Sequence, residues 1–334
     1  MKLTAETNPL SLRLVEPIAT ARGTIFVREG LVLIVRDEAG NWGRGELMPL
    51  PGWSTATLAE AKDELARWVR SLPDAEDGPV QFHGGIPEVS AAIDAALQSL
   101  RAAQSGDPLW RWLGGARGSI SVNALAVGGS IDSVVASAQA AVDAGFGTIK
   151  VKLGMGDDTA RIDALARSID ANIRIRLDAN GAWSATEAER LLGHAVETLG
   201  DRLEYVEDPV ATLDELFAIN AGAPIAADEL VRDRADLEAL ITSRVADSGA
   251  VAAVVMKPPL LGGITPVIEI AAELKSHDVN AVISSTYDGP VGLATWCHLA
   301  AAIGGDHAHG LGTAAIFGEG IADQVVPYRG TISF

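Results

Sequence analysis

The fold is decided by residues 148–178, TIKVKLGMGDDTARIDALARSIDANIRIRLD. This segment places two short apolar strand candidates, residues 148–153 and 173–178, on either side of a helical stretch. Strands this apolar are typical of a parallel sheet that is buried on both faces. The segment therefore predicts a strand–helix–strand unit with a parallel pair of strands.

The same alternation begins at about residue 119 and continues almost to the C-terminus. Strand candidates recur at residues 120–127, 148–153, 173–178, 203–207, 224–228, 252–257, 280–285 and 307–312, with Ala-rich helical stretches between them. Eight strands with seven intervening helices predict a modified TIM barrel of (β/α)7β topology in the α/β class. The alternative is an open doubly wound sheet, but no Gly-x-Gly-x-x-Gly turn follows the first strand.

The first hundred residues have a different pattern, with strands followed by helices. A β-branched run at residues 31–35 ends in a turn signal at 37–41, and helical spacing follows at 56–71 and 87–104. We predict an α+β domain over residues 1–105 and a barrel over 106–313. We expect residues 314–334 to pack back on the first domain.

Composition excludes several classes of partner. The 334 residues carry 26 Lys+Arg against 44 Asp+Glu, and the net charge of −18 repels nucleic acid and anionic membrane surfaces. No stretch approaches the ~18 to 20 uninterrupted apolar residues of a membrane helix. Cys297 is the only cysteine, so an intramolecular disulfide is impossible. The beginning of the chain shows no secretory signal, and we expect a cytoplasmic protein.

Charged residues end five consecutive strand candidates, at the edge where barrel enzymes place their active sites. Residues two apart on a strand face the same side, so Lys150 and Lys152 point together, and Arg176, Asp178 and Asn180 share a side. The charged ends are Lys150 and Lys152 on the second strand, Asp178 on the third, Glu207 on the fourth, Asp228 on the fifth and Lys257 on the sixth.

These residue types indicate a specific chemistry. Three clustered carboxylates, Asp178, Glu207 and Asp228, repel one another unless a cation joins them, and all-oxygen ligands favour Mg²⁺, with Mn²⁺ as the alternative. A lysine whose neutral form is favoured can remove the proton alpha to a substrate carboxylate. The metal and the opposing lysine then stabilise the enediolate. Any one of these residues alone is more often a salt-bridge partner, but a buried charge network without a function is costly.

The pattern resembles the enolase superfamily, and more narrowly its branch with two opposed lysines. That branch includes muconate cycloisomerases, dipeptide epimerases and o-succinylbenzoate synthases of menaquinone biosynthesis. The chain is most similar to the synthases in four passages, which are residues 22–30, RGTIFVREG; 43–54, GRGELMPLPGWS; 176–183, RLDANGAW; and Ser284-Ser285 followed by Gly292-Leu293-Ala294.

The resemblance implies a capping domain in front of the barrel and a role for each site residue. It implies that Lys152 is the base, that Lys257 stabilises the enediolate from the opposite face, and that the three carboxylates bind Mg²⁺. It implies substrate contacts from Lys150, Arg176, Asn180, Ser284, Ser285, Arg22 and Trp53, with the loops around Arg22 and Trp53 closing over the substrate. The substrate is then a small-molecule carboxylate.

The activity implied by the resemblance is syn elimination of water from 2-succinyl-6-hydroxy-2,4-cyclohexadiene-1-carboxylate. Two alternatives stay open. An N-acylamino acid racemase or dipeptide epimerase would use the same lysine pair, and residues 284–290, SSTYDGP, are also similar to racemizing relatives. A barrel without catalytic activity that only binds a ligand is the third reading, and the intact set of lysines and carboxylates speaks against it. The sequence leaves the oligomeric state open.

Overall fold

Two sheets of different kinds organise the chain. The computed structural model describes residues 2–20, 23–72, 85–220, 222–231, 234–243, 251–318 and 325–334. An antiparallel three-stranded sheet lies near the N-terminus, and a parallel seven-stranded sheet forms the larger part. The predicted combination of an α+β capping domain and a modified TIM barrel is confirmed.

The N-terminal sheet has the order β1-β2-β3 and carries two long helices. A capping box between Thr57 and Glu60 begins the first helix, and Gly106 in the left-handed conformation ends the second. The elements are β1 (Leu3–Thr20), β2 (Gly23–Asp37), β3 (Trp42–Leu47), α1 (Leu58–Ser71) and α2 (Pro87–Ser105). Both predicted helices are therefore confirmed to within two residues, whereas strand β1 had no counterpart in the sequence-based prediction.

Strand β3 packs directly against the backbone of α2, because two glycines remove the side chains between them. A β-carbon at Gly45 would collide with the carbonyl oxygen of Ala92, and one at Gly43 would collide with that of Ala96. The two glycines therefore set the distance between the sheet and its helix, and this contact buries Leu33, Leu47 and Leu100 in the domain core.

The barrel alternates strands and helices as predicted. Its strand order is β11-β10-β9-β8-β7-β6-β5, and neighbouring strands run parallel. The strands are β5 (Ala124–Ala126), β6 (Thr148–Lys152), β7 (Arg174–Asp178), β8 (Leu203–Glu207), β9 (Ile225–Ala227), β10 (Val251–Met256) and β11 (Asn280–Ile283). The helices are α3 (Leu109–Trp112), α4 (Ile131–Asp143), α5 (Asp158–Ser168), α6 (Ala185–Leu199), α7 (Leu213–Ala218), α8 (Arg234–Ile241), α9 (Ile264–Ser276) and α10 (Pro290–Ile303).

A short extended segment closes the barrel where the eighth strand was predicted. His309 forms a parallel bridge with Val122, and Gly310 forms one with Ser284, so the segment joins the first barrel strand to the seventh. The ring nitrogen Nδ1 of His309 also accepts a hydrogen bond from the backbone N–H of Ile283. The predicted strand at 307–312 is therefore reduced to two bridging residues.

The first predicted barrel strand, residues 120–127, is divided in two. Its first half, β4 (Ser119–Ser121), leaves the parallel sheet and pairs antiparallel with β12 (Thr331–Ser333) near the C-terminus. Only β5 joins the barrel sheet, where it pairs with β6. The prediction of one continuous strand was wrong, because the partner of the first half lies more than 200 residues away in the sequence.

The C-terminal segment contacts both parts of the protein. Phe317 forms a bridge with Leu14 of β1 and packs in an apolar cluster with Leu12 and Ile25, while β12 pairs with β4. In the described part of the chain, no helix is both long and apolar enough to span a membrane.

Two buried charged residues of the N-terminal domain form hydrogen bonds with the backbone of the barrel. Glu46 accepts hydrogen bonds from the N–H groups of Gly289, Val291 and Gly292 at the beginning of α10. Arg28 donates to four carbonyl oxygens, at 2.6 and 2.8 Å to those of Met48 and Pro49 and at 3.1 and 3.4 Å to those of Tyr287 and Thr286. The domain junction is therefore a buried polar contact at the barrel mouth.

We predict that Gly45→Ala lowers the free energy of unfolding by about 2 to 3 kcal/mol, because the added methyl group forces β3 away from α2. The matched control is Gly193→Ala within α6, where the added carbon meets open space. That change should stabilise the protein by about 0.5 to 1 kcal/mol, since alanine loses less entropy in a helix. Chemical denaturation of both variants tests this, and equal stability of the two would contradict the close approach.

We predict a second effect on stability from Glu46. Burial, together with the charge of Asp288, raises the pKa of Glu46 to about 7 against the opposing effect of its hydrogen bonds to N–H groups. A raised pKa means that the contribution of Glu46 to stability is complete below its unfolded pKa of 4.5 and is lost as the pH rises through 7. Glu46→Gln cannot ionise and should therefore gain about 2 to 3 kcal/mol relative to the natural protein between pH 5 and pH 8. Thermal unfolding of both proteins across this range measures the difference, and parallel curves would contradict it.

Candidate active site

The parallel register brings the predicted charged residues into one row at the barrel mouth. Lys152 pairs with Asp178 across β6 and β7, and Asp178 pairs with Glu207 across β7 and β8. Asp228 lies just beyond the end of β9, and Lys257 just beyond the end of β10. The side chains of the carboxylates and lysines share the inner side of the strands, because the alternate positions pack outward against the helices.

Two lysines neutralise the carboxylates from different sides. The Nζ atom of Lys150 lies 2.9 Å from Oδ2 of Asp178 and 2.7 Å from Oε1 of Glu207. The Nζ atom of Lys257 hydrogen-bonds both carboxylate oxygens of Asp228. Asp178 and Glu207 are almost completely buried, so these ion pairs replace hydration that the strand ends cannot receive.

The charges shift one another's pKa values in opposite directions. Burial lowers the pKa of Lys150, but the charges of Asp178, Glu207 and Asp228 outweigh burial and raise it well above its ordinary value. The pKa of Lys257 is raised in the same way, mainly by Asp228 against the effect of burial. Burial raises the pKa of Glu207 to about 8, although Lys150 opposes this. Lys150 and Lys257 are therefore paired with carboxylates in this structure, and the role of Lys152 as the base stays a prediction.

The donor set of this site fits a hard divalent cation. Oε2 of Glu207 is buried and has no hydrogen-bond partner among the residues that the structure describes, and the acids of the neighbouring strands act on the pKa of this carboxyl group. Three carboxylates offer only oxygen ligands, which Mg²⁺ and Mn²⁺ prefer. In the part of the chain that the structure describes, no group of three acidic, histidine or cysteine side chains is already arranged around a metal position. The oxygens of the trio instead face the two lysines.

Lys152 occupies the outer end of β6 and has an exposed side chain. The loop that follows it is fixed by Asp158, whose carboxylate accepts hydrogen bonds from the N–H groups of Gly154 and Met155. Nε1 of Trp183 also donates to Asp158, at 2.7 Å. The turn after Lys152 is therefore tied to the loop that follows β7. Lys257 follows β10, which is four strands away from the β6 strand of Lys152 in the sheet.

Arg176 is almost completely buried inside the barrel, two residues before Asp178 on β7. Its guanidinium group donates to both oxygens of Glu204, to Oδ1 of Asn123 and to the carbonyl oxygen of Ala308, and it lies over the ring of Tyr205. Four of its N–H donors are therefore used within the protein. Through these contacts Arg176 connects several segments inside the barrel. They provide no support for its predicted substrate contact.

The other predicted substrate residues border the mouth. Asn180 is exposed, has a positive φ of 48°, and donates its backbone N–H to Oδ1 of Asp178 at 3.1 Å. Ser284 pairs with Gly310 of the closing segment, and Ser285 is buried with its hydroxyl group bonded to Asp288. The substrate contacts of Asn180, Ser284 and Ser285 stay predictions.

One of the two predicted capping loops reaches the carboxylate edge. Nε1 of Trp53 donates to Oε1 of Glu229 at 3.1 Å, and Glu229 directly follows Asp228. This places the Trp53 loop beside the outermost carboxylate of the site. Arg22 lies outside the described residues, so the structure does not test its predicted contact.

Two residues of the site were missed by the sequence-based prediction. Asp208 is buried and accepts the N–H groups of Asp228 and Glu229, at 2.9 and 2.7 Å, which fixes the strand end that carries Asp228. Burial and the charge of Asp228 raise the pKa of Asp208 to about 7. Tyr287 packs against the apolar cluster that includes Leu50, as Trp53 does, and burial raises the pKa of Tyr287 against the opposing charges of Lys150 and Lys257. A second acid directly after Glu207 was a visible signal for Asp208, and Tyr287 lies within residues 284–290, the passage that is also similar to racemizing relatives.

Comparison with known proteins places this site in a family. The family model described as "Enolase C-terminal domain-like" matches residues 133–330, more than half of the chain. The chain belongs to the enolase superfamily. A second model, described as "MenC, N-terminal domain", matches residues 13–100.

Relatives within the enolase superfamily are similar over different lengths. The o-succinylbenzoate synthase of Mycolicibacterium smegmatis is 36% identical over 197 residues, which is 57% of this chain and 57% of that protein. The matched segment thus spans little more than half the length of this curated relative. The structure of the L-Ala-D/L-Glu epimerase from Bacillus subtilis has a TM-score of 0.86 at 24% identity and covers 100% of this chain and 96% of its own. The dipeptide epimerase from Methylococcus capsulatus, complexed with Mg and L-Arg-D-Lys, has a TM-score of 0.83 at 23% identity, with coverage of 100% and 97%.

We predict that Glu207→Gln weakens Mg²⁺ binding at least about tenfold, because the trio loses one of its three negative charges. Isothermal titration with Mg²⁺ measures the affinity. The matched control is Glu197→Gln on the exposed side of α6, which should leave the affinity unchanged. Equal affinities in both variants would count against Glu207 as a ligand.

Proposed function

We propose that the protein is an o-succinylbenzoate synthase. It would convert 2-succinyl-6-hydroxy-2,4-cyclohexadiene-1-carboxylate into 2-succinylbenzoate by loss of water, and would thus act as a lyase in menaquinone biosynthesis. The observation that carries the proposal is the row of three carboxylates at the barrel mouth, with Lys152 on one side and Lys257 four strands away on the other. The matches to o-succinylbenzoate synthases and to the MenC N-terminal domain support the choice of substrate.

Asp178, Glu207 and Asp228 would hold Mg²⁺, with Mn²⁺ as the alternative. The bound ion supplies positive charge that orients the substrate carboxylate and stabilises negative charge as it develops on the carboxylate oxygens. The Mg in the related structure from Methylococcus capsulatus and the unpartnered Oε2 of Glu207 support this assignment. Lys150, which bridges Asp178 and Glu207, would reduce the repulsion among the three carboxylates and would contact the substrate carboxylate.

Lys152 would perform both proton transfers, and Lys257 would stabilise the negative charge that forms between them. Lys152 takes the proton alpha to the carboxylate, and the electron pair of the broken C–H bond moves into the carboxylate group as an enediolate. The ammonium group of Lys257, fixed by Asp228, stabilises this charge from the opposite face. The electron pair then expels the hydroxyl group, and Lys152 returns its proton to it. Water leaves on the face from which the proton was removed, and the ring becomes aromatic.

A second activity of the same lysine pair deserves a direct test. If Lys152 and Lys257 alternated as base and acid on opposite faces, the outcome would be racemization of an N-acylamino acid or epimerisation of a dipeptide. Purified protein with Mg²⁺ should be assayed with both the cyclohexadiene substrate and these amino acid derivatives. Dehydration supports the proposal, racemization without dehydration overturns it in favour of the alternative, and inactivity toward all substrates favours a barrel that only binds a ligand.

We predict that Lys152→Ala lowers kcat by about 10²- to 10⁴-fold, the usual contribution of a general base, while Mg²⁺ still binds. Steady-state dehydration and Mg²⁺ titration on the same preparation separate the two effects. Lys275→Ala on the exposed surface of α9 is the matched control and should keep full activity. Near-full activity of Lys152→Ala would refute the assignment of the base.

The proposal includes two statements about the whole protein. We place the domain boundary between residues 105 and 106, and we propose that the part of the C-terminal segment around Phe317 returns to the capping domain, whereas β12 stays paired with β4. Limited proteolysis checks both. We also propose a cytoplasmic location, as expected of an enzyme whose substrate is a small carboxylate. Fractionation of cells that express the chain tests the location.

A further inference from the structure

The barrel mouth is chemically divided into two halves. The charged half consists of five consecutive strands, β6 to β10, which end in the lysines and carboxylates described above. The other half consists of β5, the closing segment and the loop after β11, which are adjacent because His309 and Gly310 join the seventh barrel strand to the first. Its predicted contributions to the site are the substrate contacts of Ser284 and Ser285.

Leu125 projects from β5 into the barrel mouth. It pairs in register with Lys150 on the neighbouring strand, so both side chains lie on the same side of the sheet. Asn123, two residues earlier, contacts Arg176 inside the barrel, whereas Ala126 packs outward against the helices. Alternation therefore places Leu125 on the inner side of the sheet, one strand away from Lys150 and Lys152.

Leu125 is a large apolar side chain without apolar cover. Its exposed fraction is 49%, and it belongs to none of the apolar clusters in the described part of the chain. Val127, two residues further along, is 59% exposed. Interior positions of the more distant strands β8 to β11 are filled instead by a separate cluster that includes Tyr205 and Val255. An apolar surface is thus left open beside Lys150 at the mouth.

Tyr287 borders the same half from the loop after β11. Tyr287 packs against the apolar cluster of Met48 and Leu50, and its carbonyl oxygen accepts a hydrogen bond from Arg28 at 3.1 Å. The φ angle of Tyr287 is 59°, in the left-handed region that a tyrosine adopts only when its surroundings impose it. The hydrogen bond from Arg28 therefore fixes the backbone that carries this aromatic side chain in the loop after β11.

We propose that Leu125, Val127 and Tyr287 form an apolar subsite that receives the hydrocarbon ring of a cyclic carboxylate. A molecule whose carboxylate binds in the charged half projects its remaining carbon atoms toward the opposite half. A six-membered ring fits this arrangement, because it buries apolar surface there and needs no hydrogen-bond partner. The inference rests on the proposed function and deepens it. It assigns to Leu125, Val127 and Tyr287 the preference for a substrate with a ring over one without a ring.

Binding of simple carboxylates tests the subsite without requiring turnover. Calorimetric titration in the presence of Mg²⁺ compares benzoate and cyclohexanecarboxylate, which carry a ring, with acetate, which does not. The natural protein should bind both ring compounds at least about tenfold more tightly than acetate. Leu125→Asn should reduce that ratio nearly to one and leave Mg²⁺ affinity unchanged. Val196→Asn, on an exposed apolar position of α6, is the matched control and should preserve the ratio.

The outcomes separate this inference from the proposed function. An equal affinity for rings and acetate in the natural protein, or an unchanged ratio in Leu125→Asn, overturns the subsite even if the protein dehydrates its substrate. An intact ring preference that Leu125→Asn removes supports the subsite even if dehydration fails. If circular dichroism shows that Leu125→Asn is unfolded, Leu125→Ala replaces it, with the same loss of ring preference expected and an unchanged ratio again overturning the subsite.

Discussion

The constraint on which this molecule depends is the assembly of three carboxylates at one edge of a parallel sheet. Strand register places Asp178 and Glu207 side by side, and burial denies them water. Two carboxylates on neighbouring strands repel each other unless cations lie between them. Lys150 and Lys257 meet that need, and the same ammonium groups are then available to a negatively charged ligand. Folding and chemistry thus depend on one electrostatic arrangement.

The parts outside the barrel make the mouth usable. Residues on the loop that carries Trp53 reach the edge beside Asp228, and Arg28 joins that loop to the one that follows β11. Asp158 and Asp208 act in the same way from within the barrel, since each fixes backbone N–H groups next to a charged site residue. A precise site on loops therefore rests on buried acids and one buried arginine that bind backbone rather than ligand.

Sequence patterns predicted the repeated and periodic features of the structure and missed the features that depend on distant partners. The β6 and β7 strands and the row from Lys152 to Glu207 follow from alternation within a few residues, so they were predictable. The division of residues 120–127 was not, because β4 is defined by a strand at the other end of the chain. Arg176 shows a further limit, since alternation gave its side of the strand and left its depth in the barrel open.

The junction between the domains also affects how the sequence can change. Within the described part of the chain, Arg28 donates its hydrogen bonds to carbonyl oxygens, and Glu46 accepts its hydrogen bonds from N–H groups. Every amino acid supplies that carbonyl oxygen, and every one except proline supplies the N–H group, so the two domains stay joined whichever side chains the mouth loops carry. Substitutions in those loops can accumulate and alter ligand choice while the domains keep their alignment. The junction thus separates the evolution of specificity from the maintenance of the fold.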